Sequence, residues 1–257
     1  MPRKPRTKSR SGIYHVMYRG ANRQEIFHDE ADNMKFLETI LRYKQTSEMK
    51  VFAWSLMNNH VHLLLKEGNE QLSLTLKRIS VSFVHYYNAK YRTTGHLFQD
   101  RYKSENVESR RYLFTVIRYI HQNPVKARIV QQIDEWNWSS CHGYYGENSS
   151  PEGLLDYDFV LGLVSNDVIQ ARERFKEFNE RKNSDTCLED ENKVRITDEE
   201  ATWAIRDILG IIEIAQVKSL PRMQRDNLLG KVKELEGISQ RQAARILGVS
   251  ASLINRA

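Results

Sequence analysis

Cysteine is nearly absent from this chain: its 257 residues include only Cys141 and Cys187. That is too little for a disulfide framework or a thiolate zinc site, and a reducing cytosol is the expected compartment. No apolar run approaches the ~20 residues that a membrane-spanning helix needs. The basic N-terminus is not followed by an apolar core, so neither a signal peptide nor an anchor is expected. Proline is scarce at 5 residues and glycine modest at 12, leaving an ordinary globular composition, 40% hydrophobic and 28% charged. Such a chain can bury one sizeable core and a second, smaller one.

Basic charge is plentiful and unevenly placed. Residues 1–146 hold 23 Lys+Arg against 13 Asp+Glu, and residues 218–257 hold 8 against 3, whereas 147–217 are net acidic. A basic, acidic, basic order suggests two segments facing nucleic acid with a connector between them, although a basic surface serves solubility equally well. Residues 1–10 carry Arg3, Lys4, Arg6, Lys8 and Arg10 with two prolines and no apolar pattern. They are expected to form a disordered arm that follows a phosphate backbone.

Periodicity predicts the elements. Ile13 to Tyr18 alternates as a strand, and Asp29 to Ser47 has helical spacing. Val51 to Leu56 and His60 to Lys66 read as strands joined by an Asn58-Asn59 turn, hence an antiparallel hairpin. Leu72 to Tyr91 is an amphipathic helix through Leu76, Ile79, Phe83 and Tyr87, followed by an extended segment from Phe98 to Val107. Ser109 caps a helix through Leu113, Val116, Ile117 and Ile120, which Pro124 is expected to limit. The order is βαββαβ plus one helix, an α+β fold: a ferredoxin-like antiparallel sheet with helices on one face. That domain is assigned to 11–146. The stretch from Gln131 to Ser150 is expected to be irregular, with Trp136 and Trp138 as anchors.

Residues 147–182 read as a helical appendage, its helix from Asp167 to Lys182 burying Val168, Ala171, Phe175 and Phe178. Residues 183–196 are polar and aperiodic, hence a linker. Thr197 to Glu200 is a capping box opening a helix to Leu209, and a further helix runs from about Pro221 to Leu235. Ser239 to Ser250 then looks like a helix-turn-helix with Gly248 at the turn, so that 197–257 form a small all-α domain. Its last helix would present Ser252, Asn255 and Arg256 outward to DNA; ordinary three-helix bundles share the pattern.

Two groups of residues carry chemistry. His60 and His62 share one face of their strand, opposite Val61, Leu63 and Leu65, and two imidazoles one pleat apart are placed to hold one divalent metal. A bare His-x-His is equally a pair of core histidines. On the later helix Tyr119 and Asn123 are four apart and share a face. Tyrosine supplies a nucleophilic oxygen and an asparagine carbonyl a hard metal ligand, though an asparagine before proline also caps helix ends. Tyr112 lies two turns earlier on nearly the same face, but the residue four beyond it is Val116. Leu64 stands where a histidine-triad hydrolase needs a third histidine and where a two-histidine phosphoesterase needs Thr or Ser, and both readings fail there.

His60-Val61-His62, followed by Tyr119-Ile120-His121-Gln122-Asn123-Pro124-Val125, resembles the single-tyrosine HUH transposases, and most closely the REP-associated tyrosine transposases. The resemblance extends in order through Gly12 to Val16, Tyr18 to Arg23, Ile26-Phe27, Leu56-Met57, Gly95 to Gln99, Arg101 to Lys103 and Trp136 to Ser140. Asn58 departs from it, where the family often has proline. Within these motifs Arg19, Asn22, Arg23, Arg101 and Lys103 are the candidate DNA contacts. The resemblance implies a palm-like fold and a DNA-nicking and strand-transfer activity. Tyr119 would join a 5′ phosphate, and Mg²⁺ or Mn²⁺ would sit on His60, His62 and Asn123. It further implies single-stranded, hairpin-forming DNA as partner, a monomer or homodimer, and a bacterial cytoplasmic, nucleoid-associated location. A replication initiator or relaxase would use similar parts, and a non-catalytic DNA-binding regulator is the rival from another class.

Overall fold

The computed structural model describes residues 7–188, 198–210, 212–235 and 237–256; Arg3, Lys4, Arg6, the cap residue Thr197 and 189–196 of the expected linker lie outside the described residues. Internal contacts divide the chain into two compact units, Met1–Leu188 and Glu189–Ala257.

The first unit is built on four antiparallel strands, β1 (Ile13–Arg19), β2 (Lys50–Met57), β3 (His60–Lys66) and β4 (Lys103–Asn106), in the order β2-β3-β1-β4. The β2–β3 hairpin forms at Asn58-Asn59, and a bulge between Val51 and Ala53 adjusts its register. Helix α1 (Glu30–Ser47) starts where the Asp29 carboxylate accepts from the Asp32 N–H at 3.0 Å, and α2 (Leu72–Tyr91) matches its sequence-based bounds. These two cover one face of the sheet, burying Phe36, Leu37, Ile40, Leu76, Ile79 and Phe83 against Val61, Leu63, Leu65, Trp54 and Leu56.

The opposite face is also covered, which corrects the expectation of helices on one face only. Helix α3 (Arg110–Lys126) packs Leu113, Val116, Ile117 and Ile120 against Phe52, Ala53 and Leu64. Each such side chain gains about 2 kcal/mol from burial, so the helix that carries Tyr119 is held by its own apolar stripe. Nor does Pro124 end it: α3 runs on to Lys126, and the Ala127 N–H still reaches the Asn123 carbonyl at 2.9 Å. Proline removes a single hydrogen bond there, in the last turn, while its ring is buried.

The region 131–150 is more regular than expected, holding a 3₁₀ turn at Ile133–Glu135 and the short helix α4 (Cys141–Tyr145). Trp136 donates its indole N–H to the Leu56 carbonyl at 3.0 Å, and the Leu56 N–H donates to the Trp138 carbonyl at 2.9 Å, so this stretch is pinned to β2. Helices α5 (Tyr157–Gly162) and α6 (Val168–Glu180) complete the α3 face, with Phe175 stacked on Tyr144 at 4.4 Å. Val168 is exposed rather than part of the buried stripe, because it is the first residue of α6, where none of the described elements covers it.

Two further expectations change. Residues 183–188 of the expected linker lie against α3 and β4: Arg118 pairs with Asp185 at 2.7 Å, Asn183 donates to Gln122 at 2.7 Å, and the Leu188 N–H donates to Glu105 at 2.8 Å. Polar composition hid this, since the contacts are hydrogen bonds and not an apolar stripe. Of the expected disordered arm, residues 9–10 are tied down, with the Ser9 N–H on the Tyr14 hydroxyl and the Arg10 N–H on Glu108.

In the second unit α7 (Asp198–Leu209), α8 (Arg222–Lys233), α9 (Gln240–Leu247) and α10 (Ala251–Arg256) enclose a small core of Ala201, Ile205, Leu229, Val232, Ala243, Leu247 and Ile254. Ser239 caps α9, Gly248 ends it in the left-handed region at φ 63, and the Ser250 hydroxyl accepts from the Leu253 N–H at the start of α10. Ser252, Asn255 and Arg256 are exposed. Among the described residues no helix is long and apolar enough to cross a membrane.

Candidate nucleic-acid-processing site

Strand register sets out the α3-facing side of the sheet in rows. Arg19, His60 and Met57 form the first row, Lys103, Met17, His62 and Ser55 the second, and Glu105, His15, Leu64 and Ala53 the third. Cross-strand neighbours share a face. The two histidines of the His-x-His motif are therefore brought beside a third, His15, that sequence spacing does not associate with them.

The His60 and His62 rings meet edge to face, with centroids 5.1 Å apart. Helix α3 lays Tyr119 over them, its ring 5.6 Å from His62 and 5.8 Å from His15. Asn123, one turn further along, hydrogen-bonds to His60. The four residues singled out from sequence thus converge on one place. Tyr119 is buried, and the Lys126 ammonium stands 4.9 Å from its ring centre.

Burial sets the charge state of the imidazoles. Burial, with a smaller repulsion from Arg19, pushes His60 down to about 4, against an opposing hydrogen bond with Asn123. His62 is pushed well below its ordinary value by burial and then by the neighbouring His15, His60 and Arg19. Neutral imidazoles keep a lone pair for a cation. The His60 Nδ1 lies 2.7 Å from the Asn59 side-chain oxygen, and the His62 Nδ1 3.0 Å from His15 Nε2, so a cation would have to take the Nε2 of each ring. Two neutral imidazoles and an amide oxygen fit a divalent cation with open coordination positions. Among the described residues no group of three His, Cys, Asp or Glu side chains is placed to hold a metal.

Sequence reasoning missed His15 as a site residue and missed Glu105 altogether. His15 Nδ1 lies 2.8 Å from the Glu105 carboxylate. Burial raises the Glu105 carboxyl, but its hydrogen bonds with His15, the Leu188 N–H and Tyr112 outweigh that and hold it below the usual range. Tyr112 faces Glu105 and Cys187, and burial and the carboxylate push its phenol upward. The available signal was parity: His15 has the same strand phase as Met17 and Arg19, but only the β1–β3 register shows which face that is.

The candidate DNA contacts separate into groups. Arg19, Asn22, Arg23, Arg101 and Lys103 gather at the His60 end of the sheet, where the Gly20 N–H bonds to the Asn59 carbonyl and Gln99 pairs with Arg19. Asn22 and Arg23 adopt left-handed backbone, φ 52 and 62, and are exposed. Lys8 and Arg10 join at the other end of β1, about 20 Å along the strand at its usual rise per residue. Ser252, Asn255 and Arg256 belong to the second unit.

The chain is similar to known proteins over this first unit. Residues 8–123 match the family described as "Transposase IS200 like". A REP-associated tyrosine transposase of Escherichia coli (strain K12) is 26% identical over 105 residues, 40% of this chain and 61% of the relative. A putative REP-associated tyrosine transposase of Haemophilus influenzae is 27% identical over 115 residues, 39% of this chain and 65% of the relative. The chain thus spans less than two thirds of the length of the curated relatives it matches. A solved structure of a REP-associated tyrosine transposase bound to a REP hairpin superposes with a TM-score of 0.51 at 20% identity, covering 65% of this chain and 93% of that one. Over residues 8–123 the chain is thus similar to the IS200-like transposases, and its relatives there are described as REP-associated tyrosine transposases.

Proposed function

We propose that this chain nicks and rejoins single-stranded DNA through a covalent 5′-phosphotyrosine intermediate on Tyr119, with a divalent cation held by His60, His62 and Asn123. The observation that carries this reading is the convergence of the four side chains, with the Tyr119 ring 5.6 Å from His62 and Asn123 bonded to His60. In the first step the Tyr119 oxygen forms a bond to phosphorus as the P–O3′ bond breaks; the phenol loses its proton and the departing 3′ oxygen gains one. Attack by a 3′ hydroxyl reverses the step and transfers the strand. Mg²⁺ or Mn²⁺, the latter better matched to imidazole, supplies Lewis-acid polarisation of the scissile phosphate when bound. Arg19, Asn22, Arg23, Arg101 and Lys103 line the approach and bind backbone phosphates. A hairpin-forming repeat is the expected substrate, because a solved relative is described as bound to a REP hairpin. Ser252, Asn255 and Arg256 on α10, together with the basic N-terminal residues, would add contacts to flanking DNA.

The test is a denaturant-resistant adduct between the protein and end-labelled single strands from the flanks of its gene, with Mg²⁺ or Mn²⁺. Tyr119→Phe keeps the ring and its packing and should bind DNA yet form no adduct; Tyr112→Phe should still form one. Chelation should abolish the adduct while leaving most hairpin binding. An adduct mapped to Tyr112, or full activity in metal-free buffer, would overturn the assignment. Sequence-specific binding with no adduct in either metal would favour the non-catalytic regulator.

A further inference from the structure

We infer that His15 and Glu105 are positioning residues, a buried carboxylate–imidazole chain that holds His62 in the one tautomer able to ligate a cation. The inference rests on the reading of His62 as a ligand.

The hydrogen bonds run in series: Glu105 Oε1 to His15 Nδ1 at 2.8 Å, then His15 Nε2 to His62 Nδ1 at 3.0 Å. An ionised carboxylate only accepts, so His15 carries its proton on Nδ1 and has a lone pair at Nε2. That lone pair can be satisfied only by a proton on His62 Nδ1. The His62 Nε2 is then bare, on the ring that the Tyr119 ring meets edge-on. Without the chain, a neutral imidazole favours the opposite tautomer and would turn an N–H toward the cation.

Burial makes the order strict. His15 is 0% and His62 2% exposed, so water does not substitute for either partner. Glu105 is itself fixed, accepting from the Leu188 N–H at 2.8 Å and hydrogen-bonded with Tyr112. His60 meets the same requirement with a neighbour in sequence, the Asn59 side-chain oxygen at 2.7 Å. The two proposed ligand rings are thus oriented by different devices, one local and one reaching across three strands to the segment that ends the first unit. Carboxylate and imidazole partners behind a ligand histidine fix its ring and raise its basicity, and their loss typically costs 10–100-fold in metal affinity.

Two measurements on the full-length protein test this. Long-range ¹H–¹⁵N spectra of the metal-free protein report which nitrogen of His62 carries the proton, and calorimetry with Mn²⁺ alone reports affinity. The wild type should show the proton on Nδ1. His15→Leu should move it to Nε2 and weaken Mn²⁺ roughly 10–100-fold. His15→Gln should restore most of the affinity, its amide oxygen accepting from His62 and its amide N–H donating to Glu105. A proton on His62 Nε2 in the wild type overturns the inference, even should His15→Leu fail to fold. Wild-type Mn²⁺ binding left unchanged in a folded His15→Leu overturns it while sparing the metal site; no Mn²⁺ binding by the wild type removes both.

Discussion

His121 provides a test of how the helix that carries Tyr119 and Asn123 is held. It lies between them on α3, points into the core, and is completely buried. Its Nδ1 donates to the Asn179 side-chain oxygen at 3.1 Å, and its Nε2 is 2.8 Å from the Ser140 hydroxyl, which also accepts from the Trp54 N–H. One imidazole therefore ties α3 to α6, to the start of α4 and to β2. His121→Leu keeps the volume but leaves the Asn179 oxygen without a donor, at a cost of about 2 kcal/mol near neutral pH. That corresponds to a fall in Tm of roughly 4–8 °C for a chain of this size. Burial pushes His121 down to about 3, the bond it donates to Asn179 offsetting this only in part. The folded pKa is thus below the unfolded value, near 6.5. Between these two values the unfolded chain binds the extra proton, so the wild type loses stability as pH falls below about 6.5. By pH 5 the loss attributable to His121 is about 2 kcal/mol, at 1.36 kcal/mol per unit. The leucine variant lacks that loss, and the other buried histidines contribute equally to both proteins. The gap between wild type and variant should therefore close between pH 7.5 and pH 5. Denaturant unfolding followed by tryptophan fluorescence reads it, since Trp54, Trp136 and Trp138 lie in the first unit and the fourth, Trp203, is already exposed in the second. A gap that stays constant over this range would refute a neutral, proton-excluding His121.

Other outcomes follow from the same contacts. Gly20→Ala should destabilise the first unit by about 1–3 kcal/mol and weaken hairpin binding, because the added Cβ would stand 2.1 Å from the Gln24 carbonyl oxygen and displace the turn bearing Asn22 and Arg23; unchanged melting and binding would show that the turn yields freely. A chain ended at residue 182 should melt below one ended at 188, by about 3 kcal/mol, since it loses the Arg118–Asp185 pair and the Leu188–Glu105 bond; equal melting would mean that 183–188 add nothing. Arg23→Ala and Arg101→Ala should each reduce the slope of log affinity against log salt by about 0.7 on single-stranded DNA, and an unchanged slope in a filter-binding titration would remove them from the phosphate-binding surface.

Sequence alone determined the local order of this protein. The alternation through His60 to Lys66, the helical stripe of Leu72 to Tyr91 and the cap at Ser109 are properties of neighbouring residues, and they specified the elements and the shared helix face of Tyr119 and Asn123. The ordered motifs gave the resemblance to the transposases for the same reason, since their spacing along the chain carries the information. Tertiary structure decided what depends on pairing between distant segments. Strand register placed His15 and Glu105 behind His62 across 47 and 43 residues, and no periodicity within β1 or β4 marks them as partners. It also decided that α3 covers the second face of the sheet and that Pro124 is accommodated within it, since packing of the apolar stripe outweighs the loss of one hydrogen bond in a last turn. Residues 183–188 read as linker because their anchors are polar, and a hydrogen bond to Gln122, Arg118 or Glu105 leaves no repeating trace in sequence.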